Sequence, residues 1–232
     1  MAEGRLIRGT MFSNEQIVKL EKQGLTGKLL DLHLSYLHIF RLYSLAHGSY
    51  DSYMVIFKGR YRTEQRKALP IHHFREFFNT VEQSLKNNTI SSIFKLIDED
   101  LKTLSIRTLL IDLHDNIHLV KNTKCVRDIL DVCDEMLRNL YKNKDVKELL
   151  KYRHNYVSHQ NYKMTYEEYS LKNSRFIIGT PRKVLSALQP IFEKLHPIFD
   201  SNDVTSSLLY KNSRNEALQI LNLLSNFIDR QK

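Results

Sequence analysis

The fold is decided by residues 25–47, LTGKLLDLHLSYLHIFRLYSLAH. The leucine, isoleucine, phenylalanine and tyrosine residues of this stretch recur at spacings of three and four and cover much of the circumference of a helix. A helix that is apolar on most of its faces has to be buried by neighbouring elements. The stretch therefore predicts a central helix around which the rest of the chain packs.

The remainder of the chain shows the same helical spacing and few residues that interrupt it. Of 232 residues only 7 are Gly and 4 are Pro, and 42% are hydrophobic against 26% charged, which is a globular composition. We predict an all-α fold, a bundle of seven to nine helices with essentially no sheet. This length supports one well-buried core, so we expect a single domain over residues 1–232, with 1–24 as an N-terminal extension and 208–232 as a C-terminal helix.

Cap and turn residues predict where the helices begin and end. Ser13 is expected to cap a short helix that stops at Gly24, and Gly48 is expected to end the central helix before an irregular or strand-like stretch, 50–57. Further helices are expected over residues 71–87, 90–101, 104–118, 125–141, 146–159, 181–197 and 210–230. Residues 200–207 read as a linker.

Individual residues inside these helices carry more specific expectations. The helix over 71–87 should turn its apolar side inward. Asp145 and Glu148 resemble a capping box, and Thr180-Pro181 reads as an N-cap followed by a first-turn proline. The residues expected inward in 71–87 are Phe74, Phe77, Phe78, Val81 and Leu85.

The chain is basic, with a formal net charge of +9 and a pI near 9.4, which favours an anionic partner. Residues 58–67, KGRYRTEQRK, carry five basic side chains and one acidic one. This segment is either a phosphate-contacting surface or a solvated loop, and the loop is the interpretation we favour.

Cysteine content and hydropathy indicate the compartment. Cys125 and Cys133 lie eight residues apart, roughly 12 Å along a helix axis, which is too far for a disulfide, so both are expected to be buried free thiols. The chain contains no segment that resembles a signal peptide and no window of 18 uncharged apolar residues. We expect a cytoplasmic protein that does not contact a membrane.

His114 and His118 have the four-residue spacing of a pair of metal ligands on one helical face. A zinc-protease helix also needs Glu beside the first His and a third ligand, whereas Asp115 follows His114 here. We therefore expect two surface or hydrogen-bonded histidines, and neither a metal nor another cofactor.

The stretch VKELLKYRHNYVSH, residues 146–159, places a cation where a core residue should lie. Val146, Leu149, Leu150 and Val157 form one apolar face, and Arg153 lies only about 20° from Val146 on the helical wheel. An unpaired guanidinium on that face would point at the core or at a partner surface. His154, Asn155 and His159 follow it.

This pattern, Arg-x5-His with polar residues directly after the Arg, resembles the motif of the HEPN superfamily. The order of helices also resembles its abortive-infection U-type group. The resemblance implies a dimer in which two motif helices meet, and a metal-independent endoribonuclease at the dimer seam. The residues that correspond to the motif are Arg153, His154 and His159, with Asn155 as a further polar candidate.

The residue types suit metal-independent RNA cleavage, in which the neighbouring 2′-OH is the nucleophile. His159 suits general base or acid chemistry near neutral pH, and Arg153 could bind a phosphate oxygen bidentately. His154 and Asn155 could orient the phosphate or His159. On an ideal helix, however, Arg153 and His159 are about 9 Å apart along the axis and point about 120° apart, so either the helix ends before His159 or two copies form the pocket.

Five tyrosines surround the motif, and they could stack on bases of single-stranded RNA or, as we favour, pack the bundle and the dimer seam. They are Tyr152, Tyr156, Tyr162, Tyr166 and Tyr169. The leading hypothesis is a homodimeric ribonuclease of phage defence or a toxin-like system. The alternatives are a non-catalytic RNA- or protein-binding dimerisation module, and a toxin held silent by an antitoxin or nucleotidyltransferase-like partner.

Overall fold

The structure is a computed structural model, and it describes residues 4–57, 75–120, 122–152 and 166–199, together with Gln219. The basic segment 58–67, the linker 200–207 and the expected helix over 210–230 lie outside the described residues. The elements in chain order are β1 Arg5–Ile7, β2 Thr10–Phe12, α1 Asn14–Glu21, α2 Gly27–Ile56, α3 Arg75–Leu96, α4 Ile106–Asp115, α5 Thr123–Lys142, α6 Lys144–Tyr152 and α7 Tyr166–Leu195.

The predicted all-α class is confirmed. The described residues contain seven α-helices and two short 3₁₀ helices, Ile117–Leu119 and His196–Ile198. Buried side chains from Phe12 to Phe199 form one hydrophobic cluster that involves every α-helix. Within the described residues, no helix has an apolar stretch long enough to cross a membrane.

The N-terminal residues form a hairpin, where the sequence predicts an extension with essentially no sheet. β1 and β2 pair antiparallel, and Arg8 and Gly9 between them have φ values of 43° and 76°. Two consecutive positive φ values give the turn type that suits the twist of a two-residue hairpin. The Arg8 guanidinium donates to both oxygens of Asp112 in α4, at 2.7 and 3.1 Å, and to the Leu101 carbonyl, so tertiary contacts hold the hairpin in place.

The predicted start of α1 is confirmed. The Ser13 hydroxyl accepts from the Gln16 N–H, and the Gln16 side chain accepts from the Ser13 N–H, which is a complete capping box. The helix ends a little before Gly24, which has a φ of 83°. Leu20 is buried in the core cluster.

α2 is the central helix, as predicted, but it is longer than expected. Gly48 does not end it, and residues 50–56 are helical rather than strand-like. The reason is burial: Gly48, Ser49, Tyr50 and Tyr53 all lie inside the bundle. Packing of this face against α3 outweighs the weak helix propensity of glycine.

α3 is one continuous helix, whereas the sequence predicts two, over residues 71–87 and 90–101. Thr89 lies at the expected break, and its hydroxyl donates to the Leu85 carbonyl at 2.8 Å while its side chain is buried. Ile90, Ile93 and Leu96 then continue the buried face. Of the phenylalanines expected inward, Phe78 is buried but Phe77 is 61% exposed, because α3 turns Phe77 to the outside.

Two features in the second half of the chain also differ from expectation, the exposure of one cysteine and the start of α7. Cys133 is buried as predicted, but Cys125 is exposed on the outer face of the first turn of α5; both are free thiols. α7 begins at Tyr166, not at Thr180, and contains Pro181 and Pro190 in its interior. Each proline removes one helical hydrogen bond, a loss that the buried face from Val184 to Leu195 offsets.

α2 and α7 run antiparallel and are joined by aromatic contacts. The ring of Tyr43 stacks on Phe192 at 4.2 Å between centroids, and the ring of Tyr36 stacks on Phe199 at 4.3 Å. The Tyr36 hydroxyl lies 3.0 Å from Nδ1 of His196. These contacts fix the end of α7 against the first half of α2.

Candidate functional site

The candidate site is centred on α6, the helix that leads into the predicted motif. Asn143 caps it: the Asn143 side-chain oxygen accepts from the Asp145 N–H at 2.8 Å, and the Asn143 carbonyl accepts from the Lys147 N–H at 3.1 Å. The predicted capping box of Asp145 and Glu148 is therefore wrong. Asp145 lies two positions past the cap, because asparagine, a strongly preferred N-cap residue, already occupies the cap position.

One face of α6 is fixed against the bundle by apolar packing. Val146 and Leu149 are 0% exposed, and Leu150 is partly buried against the same core. Burial of one such side chain contributes roughly 1.5–3 kcal/mol. The apolar face predicted from the sequence is confirmed as far as Leu150, and it holds α6 against α5 and α7.

An ion pair joins α6 to α7. The Lys183 ammonium donates to the two Asp145 carboxylate oxygens at 3.0 and 3.2 Å. The Lys183 side chain is 65% exposed and that of Asp145 is 24% exposed, so water weakens the pair. The negative charge of Asp145, near the start of α6, is therefore balanced by the positive charge of Lys183.

The four predicted site residues, Arg153, His154, Asn155 and His159, lie outside the described residues. The described part of α6 reaches Tyr152, the residue before Arg153, and the described part of α7 starts at Tyr166. The structure thus describes the helix that enters the motif segment and the helix that leaves it. The distance between Arg153 and His159 remains a prediction.

Only some of the tyrosines near the motif belong to the described residues. Tyr156 and Tyr162 lie outside the described residues. Tyr152, Tyr166 and Tyr169 belong to helices by their backbone positions alone. Whether these tyrosines stack on RNA bases or pack the bundle and the dimer seam therefore remains a prediction from the sequence.

The two histidines that are spaced like a pair of metal ligands have different surroundings. Nε2 of His114 lies 2.8 Å from a carboxylate oxygen of Asp134 in α5, so this histidine is hydrogen-bonded, as expected. His118 lies in the 3₁₀ helix after α4 and is exposed. Over the described residues, no three His, Cys, Asp or Glu side chains group closely enough to hold a metal ion.

Three histidines of α2 were not singled out by the sequence. Burial lowers the pKa of His33, His38 and His47, and for His47 to about 4. Lys95 and Arg41 add to the lowering at His38. Nothing in their spacing distinguishes them from surface histidines, because their burial depends on α3, α7 and the hairpin closing around α2.

Comparison with known proteins gives one match. Residues 20–220 match the family model HEPN_AbiU2, described as AbiU2. The matched residues include α2 to α7 and the positions of Arg153 and His159. No curated protein and no solved structure matches the chain.

Proposed function

The chain belongs to the AbiU2 family of HEPN proteins, and from that premise we propose that it is a metal-independent endoribonuclease acting as a homodimer in phage defence or a toxin-like system. The observation that carries the proposal is the position of the Arg-x5-His motif. In the sequence, Arg153 follows Tyr152, the last described residue of α6, and it comes four residues after the fully buried Leu149. Four residues is the spacing of neighbours on one helical face.

The residue types supply the groups that the reaction needs. His159 removes the proton of the 2′-OH or donates one to the leaving 5′ oxygen, and Arg153 stabilises the negative charge that develops on the phosphate. His154 and Asn155 orient the phosphate or His159. The 2′ oxygen attacks phosphorus, the bond to the 5′ oxygen breaks, and the products carry a 2′,3′-cyclic phosphate and a 5′-hydroxyl.

A second copy of the chain solves the geometric difficulty of the motif. On one ideal helix Arg153 and His159 diverge by about 120°, so residues from two copies complete the pocket more readily than residues from one. The proposal therefore predicts a dimer at micromolar concentration in sedimentation analysis. A monomer under those conditions would contradict the two-copy site.

The decisive experiment incubates the purified protein with total RNA in EDTA. We expect cleavage by the wild type and a loss of roughly 10²–10⁴-fold in His159→Ala and in Arg153→Ala, because each removes a group that acts on the transition state. The fragments should have free 5′-hydroxyls that a polynucleotide kinase labels without prior phosphatase treatment. Circular dichroism should show that both variants remain folded.

His118→Ala and Arg127→Ala are matched controls. Both residues are exposed, and neither forms an ion pair with another described residue. They should cleave like the wild type. Full activity in both motif variants would contradict the ribonuclease proposal, and salt-sensitive RNA binding without any cleavage would favour the non-catalytic binding module.

A further inference from the structure

From Phe77 to Asn88 the outer face of α3 carries no charge. The exposed side chains of this stretch recur at spacings of three and four and lie within about 100° of one another around the helix. These side chains, the uncharged face of α3, are Phe77, Thr80, Ser84, Asn87 and Asn88. The exposed side of α5 is charged instead, through Arg127, Asp128, Asp131, Glu135 and Arg138.

The two charged residues in this part of α3 are turned toward α2. The Lys86 ammonium lies 2.6 Å from a Glu82 carboxylate oxygen and 5.6 Å from the centre of the Tyr53 ring, and only 10% of the Lys86 side chain is exposed. The outer positions are filled by Thr, Ser and Asn, which are weak helix formers. Exposed positions that depart from local preference are expected where a surface serves binding rather than stability.

Phe77 gives the uncharged face an exposed aromatic ring. Phe77 is 61% exposed, and its ring meets that of the buried Phe78 edge to face, with 5.4 Å between the centroids. An aromatic ring that is held by a neighbour and still exposed is suited to stack on a nucleobase.

A second copy of the chain is a poor occupant for this face. From Phe77 to Asn88 the face extends about 17 Å along a helix about 10 Å wide, well below the roughly 800 Å² per partner of a stable interface. Phe77 is its only large apolar side chain, so the hydrophobic gain on association would be small.

Single-stranded RNA fits the chemistry of the face better. Asparagine amides and serine or threonine hydroxyls both donate and accept hydrogen bonds, as the edges of unpaired bases do. Between Asn79 and Asn88 no exposed carboxylate repels the phosphates that accompany the bases, and the chain has a net charge of +9.

We propose that the uncharged face of α3 binds bases of single-stranded RNA. Phe77 stacks on one base, and Asn87 and Asn88 bond the edges of others. The face includes none of the motif residues, so it selects and holds RNA without taking part in the chemical step. This inference rests on the proposed function, because that function supplies RNA as the ligand.

The first test separates base stacking from phosphate binding. A fluorescein-labelled single-stranded RNA is titrated with full-length His159→Ala protein in EDTA, and anisotropy gives the dissociation constant from about 50 to 300 mM salt. Adding Phe77→Ala should weaken binding by roughly 5–100-fold, whereas Phe77→Trp should bind at least as tightly as Phe77. The slope of log K against log salt should stay unchanged, since a stacked base adds no phosphate contact.

Three results would overturn the inference. They are unchanged binding in Phe77→Ala, a loss of binding that comes with a smaller salt slope, and a loss in Phe77→Trp equal to that in Phe77→Ala. Circular dichroism should show that each variant remains folded.

A matched pair of variants tests the amide positions. Asn87→Asp introduces a carboxylate into the uncharged face with almost no change of shape, and it should weaken RNA binding severalfold. Asn139→Asp makes the same change at an exposed position of α5 and should leave binding unaltered. An equal loss in both variants would show that only net charge matters and would overturn the inference.

Glu76→Gln provides a test of opposite sign. Glu76 is exposed in the first turn of α3, one residue before Phe77. Its removal takes away the carboxylate nearest Phe77 in the sequence, so RNA should bind severalfold more tightly, a gain that misfolding cannot mimic. Unchanged or weaker binding in this variant would count against the inference.

The outcomes separate the two proposals. If the wild type cleaves RNA but Phe77→Ala and Asn87→Asp bind RNA like their background, the inference fails and the ribonuclease stands. If these variants lose binding while the wild type never cleaves, the base-binding face stands and the ribonuclease fails. If Asn87→Asp turns a dimer into a monomer without altering RNA binding, the face is a protein interface and the inference is wrong.

Discussion

α2 and α6 differ in how much of their surface the bundle covers. After its first turn, α2 exposes only Leu37, Arg41 and Leu45, and its remaining positions are wholly or partly buried. α6 buries one narrow face, at Val146 and Leu149, and exposes charged side chains on the other. α2 therefore contributes mainly to stability, whereas α6 combines a short buried anchor with an exposed, charged face.

The largest predicted effect comes from truncating one buried side chain in each of the two helices. Ile39→Ala in α2 and Leu149→Ala in α6 both remove a side chain that is 0% exposed, and each should lower the free energy of unfolding by about 2–5 kcal/mol. Chemical denaturation measures both losses.

The two variants should differ in activity. At a temperature where both remain folded, Leu149→Ala should reduce RNA cleavage because α6 leads into the motif, while Ile39→Ala should cleave like the wild type. Equal activity in the two would mean that the anchor of α6 does not position the site.

A smaller effect concerns the buried histidine of α2. Burial lowers the pKa of His47 to about 4, so the folded state favours the neutral ring. The unfolded chain takes up the proton first as the pH falls below about 6.5. Stability is therefore complete above about pH 6.5 and is lost between about pH 6.5 and 4, by on the order of 2–3 kcal/mol.

His47→Phe should flatten this part of the pH profile. It keeps an aromatic ring beside Tyr43, whose centroid lies 4.7 Å from that of His47, and removes the group that takes up the proton. Urea unfolding from pH 4 to 7 measures the change. A smaller slope from His33 and His38 should remain, because burial also lowers the pKa of both. If the free energy of unfolding of His47→Phe depends on pH as strongly as that of the wild type, the acid sensitivity arises from other residues.

The smallest effect tests the ion pair that joins α6 to α7. Lys183→Met should lower stability by about 0.2–1 kcal/mol, because Lys183 is 65% exposed and water screens its attraction to Asp145. Thermal unfolding measures the change, which should shrink in 1 M salt. Lys124→Met on α5 is an exposed control without an ion partner among the described residues. A loss well above 2 kcal/mol would show that Lys183 anchors α6 more firmly than its exposure implies.

Local patterns in the sequence predicted much of the fold correctly. Ser13 caps α1 because its side chain needs only Gln16, three residues away. The apolar face of α6 follows from the spacing of Val146 and Leu149. Such features depend on neighbours within one or two turns, which the sequence displays directly.

Features that depend on distant residues were predicted wrongly or not at all. Gly48 continues α2 because it is buried inside the bundle, and the hairpin is held in place because Arg8 contacts Asp112, 104 residues away. The pairing of Tyr36 with His196 spans 160 residues. No local spacing carries that information.

For the candidate site, the sequence by itself determined the motif, its residue types and its predicted place within an amphipathic segment, since these are properties of order and spacing. Only the tertiary structure decided that Asn143 caps α6, that Lys183 neutralises Asp145 and that Lys144 and Lys147 remain exposed. The physical reason is that a charge becomes paired or available only when other helices have packed around it. Sequence periodicity predicts which face of a helix is apolar, and tertiary packing determines which side chains contact that face.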